Sequence, residues 1–350
     1  MKEVIFFLTK QNEKYIIYMI KIYTTENTMY TVGIDLGGTN IAIGICDEEL
    51  NIVAKGSIPT DKSAGGSGVV KDMASLTKQL MDKLSLTEKD IEYVGMALPG
   101  SIDSDNGVIE YSNNLPFENF PICDEFRSHL NIKNIYIEND ANAAALAESL
   151  MGAAKGTSSS VMITLGTGVG GGVVLSGKIF KGGVNFAGAE LGHTVIRAGG
   201  RLCSCGRRGC FEAYSSATGL INSTRELMTE LKTKGIPSSL FEVAERDGKV
   251  SAKTAFAAKA MGDVHAKKLI DEYISDLAVG ITNMVNIFQP EVLSIGGGVS
   301  NAGDELLLPL VNIVERENYA RNNPKKTRIV IASMKNDAGI IGAAGLGRQG

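Results

Sequence analysis

Two stretches of this chain read alike, and their likeness limits the fold more than any other feature. Residues 31–35 are a short β run, Thr-Val-Gly-Ile-Asp, that ends in Leu36-Gly37-Gly38-Thr39-Asn40, after which residues 41–45 resume β character. About 130 residues later, a second β run over 161–165 leads into Gly166-Thr167-Gly168-Val-Gly170-Gly171-Gly172, and strands follow over 173–175 and 178–180 around a Ser-Gly turn. A chain with two such β–Gly/Thr–β units is assembled from two similar halves. Glycine is abundant, 41 of 350 residues, and gathers in loops beside apolar runs. That distribution suits close approach of backbone to a ligand.

Residues 166–171 match Gly-x-Gly-x-x-Gly in form. A dinucleotide site needs a helix after those glycines, to aim its N-terminus at the pyrophosphate. Here a strand follows, so that reading is poor, and no Gly-x4-Gly-Lys-Ser/Thr occurs in the chain. A glycine turn between strands can still hold phosphate, because its exposed N–H groups form an anion nest to which Thr39 and Thr167 add hydroxyls. Tight turns need glycine in any case, so a single one says little. The pair points to one polyphosphate gripped from two sides. Asp35, beside the first turn, is either a turn residue or a carboxylate for Mg²⁺ next to the phosphates. Asp140 opens a helix over 141–150. It either caps that helix, a task Asn139 can also do, or accepts a proton from a substrate hydroxyl.

A second constellation lies at 190–212. Glu190-Leu-Gly-His193 is followed by Cys203-Ser-Cys205-Gly-Arg-Arg-Gly-Cys210-Phe-Glu212. One imidazole and three thiolates make a complete tetrahedral set for Zn²⁺, with no open position for an activated water, so the metal is expected to be structural. Buried thiols and a core histidine are the plainer alternative, but a polar loop rich in Arg and Gly does not suit a core. Glu190 and Glu212 stand at the edges of this clip.

The remaining pattern is that of an α/β protein. Strands are expected over 51–58, 91–98, 135–137, 292–295 and 328–332. Helices are expected over 69–84, 274–287 and 338–346, with 214–287 mostly helical. Residues 65–68 and 101–121 read as loops. The apolar fraction of 44% and charged fraction of 21% fit a soluble enzyme, and the net charge of −4 argues against nucleic acid or an anionic membrane as partner. Cys46 and Cys123, the two cysteines outside the clip, make no disulfide framework, so a reducing cytoplasm fits best. Residues 1–30 look foreign to the rest. Their apolar runs are too short to span a bilayer and carry no cleavage site. They read as an upstream start or a tethered extra helix.

In combination and order, these motifs resemble the ROK family of sugar kinases, within the actin and hexokinase superfamily. Asp35-Leu-Gly-Gly-Thr39 resembles its first phosphate motif, and residues 165–172 the second. Glu138-Asn-Asp-Ala-Asn142 resembles the motif with the catalytic aspartate. Residues 190–193 and 203–212 resemble the sugar-binding and zinc loop, and Gly296-Gly297-Gly298-Val299 the adenosine contact. Asn336-Asp-Ala-Gly and the zinc loop resemble the bacterial glucokinases of that family most. The resemblance implies a two-lobed ribonuclease H-like ATPase fold with duplicated sheets and a central cleft. The small lobe would be 31–139 plus 336–350, the large lobe 140–335, with 1–30 a possible addition to the body. It implies MgATP-dependent phosphorylation of the glucose 6-hydroxyl, with Asp140 as base. Gly100, Asn114, Asn139, Asp140, Glu190, His193 and Glu212 would meet the sugar. Asp35, Gly37, Gly38, Thr39, Asn40, Gly166, Thr167, Gly168, Gly297 and Gly298 would meet ATP. Zn²⁺ would lie on His193, Cys203, Cys205 and Cys210, and the family implies a homodimer or homotetramer. The family's repressors carry a winged helix that is missing here. A kinase for another hexose (N-acetylmannosamine, N-acetylglucosamine, fructose or allose) and a non-catalytic sugar sensor are the other readings.

Overall fold

A computed structural model describes residues 4–11 and 14–21 as backbone and residues 28–184 and 188–349 in full. The chain divides into two compact units. One comprises Met1–Ser158, Gly172–Ala189 and Met334–Gly350, the other Ser159–Gly171 and Glu190–Ser333.

The first unit opens with β1 (Val4–Gln11) and β2 (Lys14–Lys21), then β3 (Tyr30–Leu36), β4 (Asn40–Cys46), β5 (Ile52–Pro59), α1 (Gly65–Lys83) and β6 (Ile91–Leu98). Next come β7 (Ser101–Asp103), β8 (Val108–Tyr111), β9 (Glu118–Phe120), α2 (Ile122–His129), β10 (Ile135–Asn139) and α3 (Asp140–Leu150). Its main sheet runs β1-β2-β5-β4-β3-β6-β10. β3 is central, antiparallel to β4 and parallel to β6, with Asp35 in register with Ala42 and Ala97. Val32, Ile34 and Leu36 are wholly buried, as are Ile41, Ile43 and Ile45 opposite them. α1 buries Val69, Val70, Met73, Leu76 and Leu80 in the same core, the spacing of an amphipathic helix.

Three expectations change here. Residues 65–68 are the first turn of α1 rather than a loop. The small residues are needed for close packing, since a Cβ on Gly66 would lie 2.9 Å from the Phe120 ring. Residues 101–121 are not loop throughout but hold the small antiparallel sheet β7-β8-β9. In place of a tethered helix, the described backbone of the N-terminal stretch forms a β1–β2 hairpin, with Met19 and Ile20 of β2 in register with Lys55 and Ala54 of β5.

The second unit holds β11 (Ser159–Leu165) and the start of β12 (Val169–Leu175), whose later part pairs with β13 (Lys178–Ile179) in the first unit. The run 170–172, read above as turn, is therefore strand. Helices follow: α4 (Glu212–Ser215), α5 (Ala217–Thr233), α6 (Ser239–Arg246), α7 (Ala252–Ala260) and α8 (Val264–Phe288). Then come β14 (Val292–Gly296), α9 (Asp304–Glu317) and β15 (Arg328–Ile331). β11, β14 and β15 run parallel, with β14 in the middle. α8 is longer than its sequence pattern suggested because Asp263 caps it, accepting from the N–H groups of His265 at 2.8 Å and Ala266 at 2.9 Å.

The chain returns to the first unit as α10 (Ala338–Gly345). This helix lies directly on β3 and β6, because Gly33 and Gly95 present no side chain. A Cβ there would fall 2.0 Å from the Ile340 carbonyl and 1.8 Å from that of Ala343. Gly342 meets α3 as closely, and Ala97, Ala143 and Ala343 fill the joint. That contact places α3 with the first unit. Among the described residues no helix is long and apolar enough to cross a membrane.

Candidate active site

The first glycine turn joins β3 to β4 through a hydrogen bond from Gly37 N–H to the Asn40 carbonyl (2.9 Å). Thr60 pins it from the end of β5. Its N–H donates to the Thr39 carbonyl (2.9 Å) and its hydroxyl to that of Gly37 (2.8 Å). Asn114 lies alongside, as a Cβ on Gly38 would be 3.6 Å from its Cβ. Asp35 sits just before the turn with Gly339 of α10 against its carboxylate. Burial, and then the Asp140 carboxylate, push the Asp35 carboxyl up to about 6, while Lys55 pulls the other way. Lys55 is ion-paired with Asp337. A largely buried carboxylate with a second one close enough to oppose its ionisation is a fit for a divalent cation.

The end of β10 shows which residue caps α3. Asn139 is the N-cap of α3: its side-chain oxygen accepts from Ala141 N–H at 2.9 Å and Asn142 N–H at 3.4 Å. Its amide nitrogen donates to the Gly100 carbonyl (3.2 Å). Asp140 is thereby relieved of capping and stands exposed in the first turn, with Oδ1 accepting from Ala141 N–H (2.8 Å). Asn139 has both polar side-chain groups engaged in structure. Gly100 has a φ of 113°, and a Cβ on it would strike the Tyr111 carbonyl at 2.1 Å. Its glycine is a demand of the backbone. Glu138, 5% exposed, accepts from Asn139 N–H (2.9 Å) and the Asn142 amide (3.0 Å), and pairs with Lys181 (3.8 Å).

In the second unit, Gly166 N–H donates to the Gly168 carbonyl (3.0 Å), closing the second turn. The start of α5 holds it from below. Ala217 N–H donates to the Gly166 carbonyl (2.9 Å) and the Thr218 hydroxyl to that of Thr167 (2.7 Å). Gly297, at the end of β14, packs on the backbone of Leu165, where a Cβ would lie 2.5 Å from Leu165 N. Gly298 beside it faces open space. The two glycine motifs of this unit, at 166–168 and 297–298, thus meet at the ends of adjacent parallel strands, the usual place for ligands in such sheets.

The clip closes as its composition suggested. The ligand atoms of His193, Cys203, Cys205 and Cys210 all lie within 4.8 Å of one another. Cys205 and Cys210 have their sulfurs 3.7 Å apart, and Cys203 Sγ is 3.7 Å from His193 Nδ1. Ligands about 2.3 Å from a tetrahedral Zn²⁺ stand roughly 3.8 Å apart, so the cage has the right size. Burial and the neighbouring Cys205 and Cys203 push the Cys210 thiol up to about 12. The Cys205 thiol is instead lowered, first by the Arg207 backbone N–H, and a cation bound among the four would favour the thiolates further. The loop is braced from outside. Arg197 binds Asp276 of α8 (2.9 Å), Arg201 binds Glu226 of α5 (2.5 Å), and both guanidinium groups stack on Tyr214.

Glu212 has a role the sequence did not suggest. One carboxylate oxygen accepts from Val169 N–H (3.0 Å), directly after the second turn. The other accepts from the Ser204 hydroxyl (2.8 Å) and lies 3.5 Å from Cys203 Sγ. It ties the clip to the glycine turn. Glu190 is exposed and starts the short 3₁₀ turn Leu191–His193.

The candidate residues therefore gather in two sets. Asp35, Gly37, Gly38, Thr39, Asn40, Gly100, Asn114, Asn139 and Asp140 belong to the first unit, and the remainder to the second. Lys55 and Glu138 were not among the expected residues, yet Lys55 acts on Asp35 and Glu138 accepts from Asn139 N–H. Lys55 is an ordinary lysine on an edge-like strand by pattern, and only the return of α10 gives it Asp337.

Comparison with known proteins agrees with this geometry. The glucokinase of Thermotoga maritima is 38% identical over 317 residues, 90% of this chain and 96% of that one. The ROK hexokinase of Thermus thermophilus superposes with a TM-score of 0.75 at 32% identity, over 90% of this chain and 97% of its own. The ROK glucokinase of Streptomyces griseus, solved with glucose and AMPPNP, has a TM-score of 0.73 at 28% identity, over 92% of this chain and 100% of its own. The fold is thus the α/β actin-like type, and since residues 31–349 match the family throughout, the chain belongs to the ROK family.

Proposed function

We propose that this ROK protein is an ATP-dependent glucokinase that phosphorylates the 6-hydroxyl of glucose. The observation that carries this reading is at the head of α3: Asn139 caps the helix, so Asp140 is not needed for it. An exposed carboxylate at the head of α3, electrostatically coupled to Asp35 beside the first glycine turn, suits a general base. The sugar 6-hydroxyl donates its proton to Asp140 as its oxygen attacks the γ-phosphorus. The bond to the β–γ bridging oxygen breaks and ADP departs. Ala141 N–H, on Oδ1, holds the carboxylate's orientation through the step.

Asn114, Glu190, Glu212 and the Nε2 face of His193 are the proposed sugar contacts, being strong acceptors or donors for hydroxyls. Asn139 and Gly100 act by shaping the base segment. The turns at 37–40 and 166–168 hold phosphates, and Gly297 and Gly298 allow the adenosine close to the backbone. Mg²⁺, held by Asp35, would neutralise charge on the transferred phosphoryl group, which is most of what such a transfer asks of a protein. Zn²⁺ on His193, Cys203, Cys205 and Cys210 would fix the loop bearing Glu190 and Glu212. A homodimer or homotetramer in the cytoplasm belongs to the same reading.

A coupled assay of ADP release over a panel of hexoses tests it. Glucose should give the highest kcat/KM, above N-acetylmannosamine, N-acetylglucosamine, fructose and allose. A higher value for another sugar overturns the glucose assignment, and no ATP-dependent turnover on any overturns the kinase.

A further inference from the structure

The first glycine turn has a cation beside it that no motif assigns. Thr60 binds the carbonyls on both sides of Gly38, those of Gly37 and Thr39. Those two bonds fix where the chain leaves β5. Asp61 then caps the short 3₁₀ turn Lys62–Ala64, accepting from Ser63 N–H at 3.1 Å and the Ser63 hydroxyl at 2.6 Å. The start of this turn is thus held on both sides, and it delivers the Lys62 ammonium to the glycine turn. A Cβ on Gly38 would lie 3.7 Å from Lys62 Nζ and 3.6 Å from Asn114 Cβ.

Lys62 is exposed, and no hydrogen bond or ion pair among the described residues engages its ammonium. Lys55, the other lysine of this neighbourhood, is committed to Asp337. A lysine held in place by its backbone, with its charge unspent, beside an anion nest and a candidate sugar ligand, has the features of a phosphate contact. Backbone N–H groups and a threonine hydroxyl supply dipoles only. Phosphoryl transfer also rewards a positive charge placed where the equatorial oxygens gather negative charge.

We propose that Lys62 binds the phosphoryl group in transfer: the γ-phosphate of ATP before the step and the sugar 6-phosphate after it. This rests on the kinase reading above. The choice of the transferred phosphate over the α or β follows from Asn114, which places the sugar end of the reaction beside Gly38.

The test compares Lys62→Gln and Lys62→Arg with the unaltered protein. Equilibrium titrations use AMPPNP, ADP, glucose and glucose 6-phosphate, with kcat and Tm measured alongside. Lys62→Gln should weaken AMPPNP and glucose 6-phosphate about 10-fold or more and lower kcat about 100-fold, with ADP, glucose and Tm nearly unchanged. Lys62→Arg should restore most of the loss. AMPPNP and glucose 6-phosphate affinities within twofold of wild type overturn the proposal, as does an equal loss for ADP and glucose. If the unaltered protein turns over no hexose, the kinase reading fails, while the AMPPNP and ADP titrations still judge Lys62 as a phosphate ligand.

Discussion

The two glycine turns differ in what holds them. Each follows a buried strand, carries a threonine and closes with one backbone hydrogen bond. The first is held by its own sheet: Thr60 on the neighbouring strand takes both its carbonyls. The second is held from elsewhere, by the head of α5 and by Glu212, whose other oxygen serves the cysteine clip. Equivalent sequences can thus have unequal dependence. The first turn should tolerate loss of a metal from the clip, whereas the second hangs on the loop that carries the four candidate metal ligands.

The largest effect expected lies with the first turn's unit. Asp140→Asn should lower kcat about 10²–10⁴-fold while AMPPNP and glucose still bind, because Asn139 keeps the helix capped. A variant retaining half of wild-type kcat sinks the base assignment.

Cys205→Ser sharpens the contrast. The clip carries proposed sugar contacts, and the Glu212 bridge also joins it to the second glycine turn. Opening the clip should weaken glucose about 10–100-fold and nucleotide severalfold as well, through Val169. Zinc content by elemental analysis, with paired titrations, checks this. An unchanged ATP affinity would break the proposed link between clip and turn.

Asp35 gives a pH signature confined to the first unit. Its carboxyl ordinarily titrates near 3.8 and is raised to about 6 by burial and Asp140. Below 3.8 it is protonated in both folded and unfolded chains, and no penalty exists. As pH rises through about 6, the folded state must ionise it, and stability falls by up to about 3 kcal/mol. Without Mg²⁺, Tm should therefore drop between pH 4 and 7, and Asp35→Asn should flatten that drop. An identical pH profile for the variant refutes it.

The smallest effect is at Thr60. Thr60→Val removes one hydroxyl bond to Gly37 and should cost about 1 kcal/mol, read as a modest fall in Tm. It should raise KM for ATP slightly and leave metal content unchanged.

Much of this was legible in the residues. Buried strands such as 31–36 and 159–165 declare themselves by β-branched and apolar residues that lead into glycine turns. The clip declares itself because thiolates and imidazole at short spacing have few other uses. What stayed hidden depends on partners distant in sequence. Glu212 could be seen at the edge of the clip, but its bond to Val169 joins residues 43 positions apart. The strands within 101–121 are three or four residues long, too short to show a period. Residues 65–68 looked like a loop because glycine is a poor helix former; packing against Phe117 and Phe120 overrides that. Between Asn139 and Asp140, either side chain can cap, and only the bonds actually made distinguish them.

The position of α10 has a bearing on how the protein is made. Residues 1–158 leave the ribosome first, yet the helix that covers β3 and β6 comes from 338–345. Throughout synthesis of residues 159–333, the first sheet must keep one face uncovered, with Gly33 and Gly95 at its centre. The second unit, whose later segment is continuous from Glu190 to Ser333, can finish earlier. The order of completion therefore runs against the order of translation, and the interval in which the first sheet is open is the time in which the nascent chain most needs a chaperone.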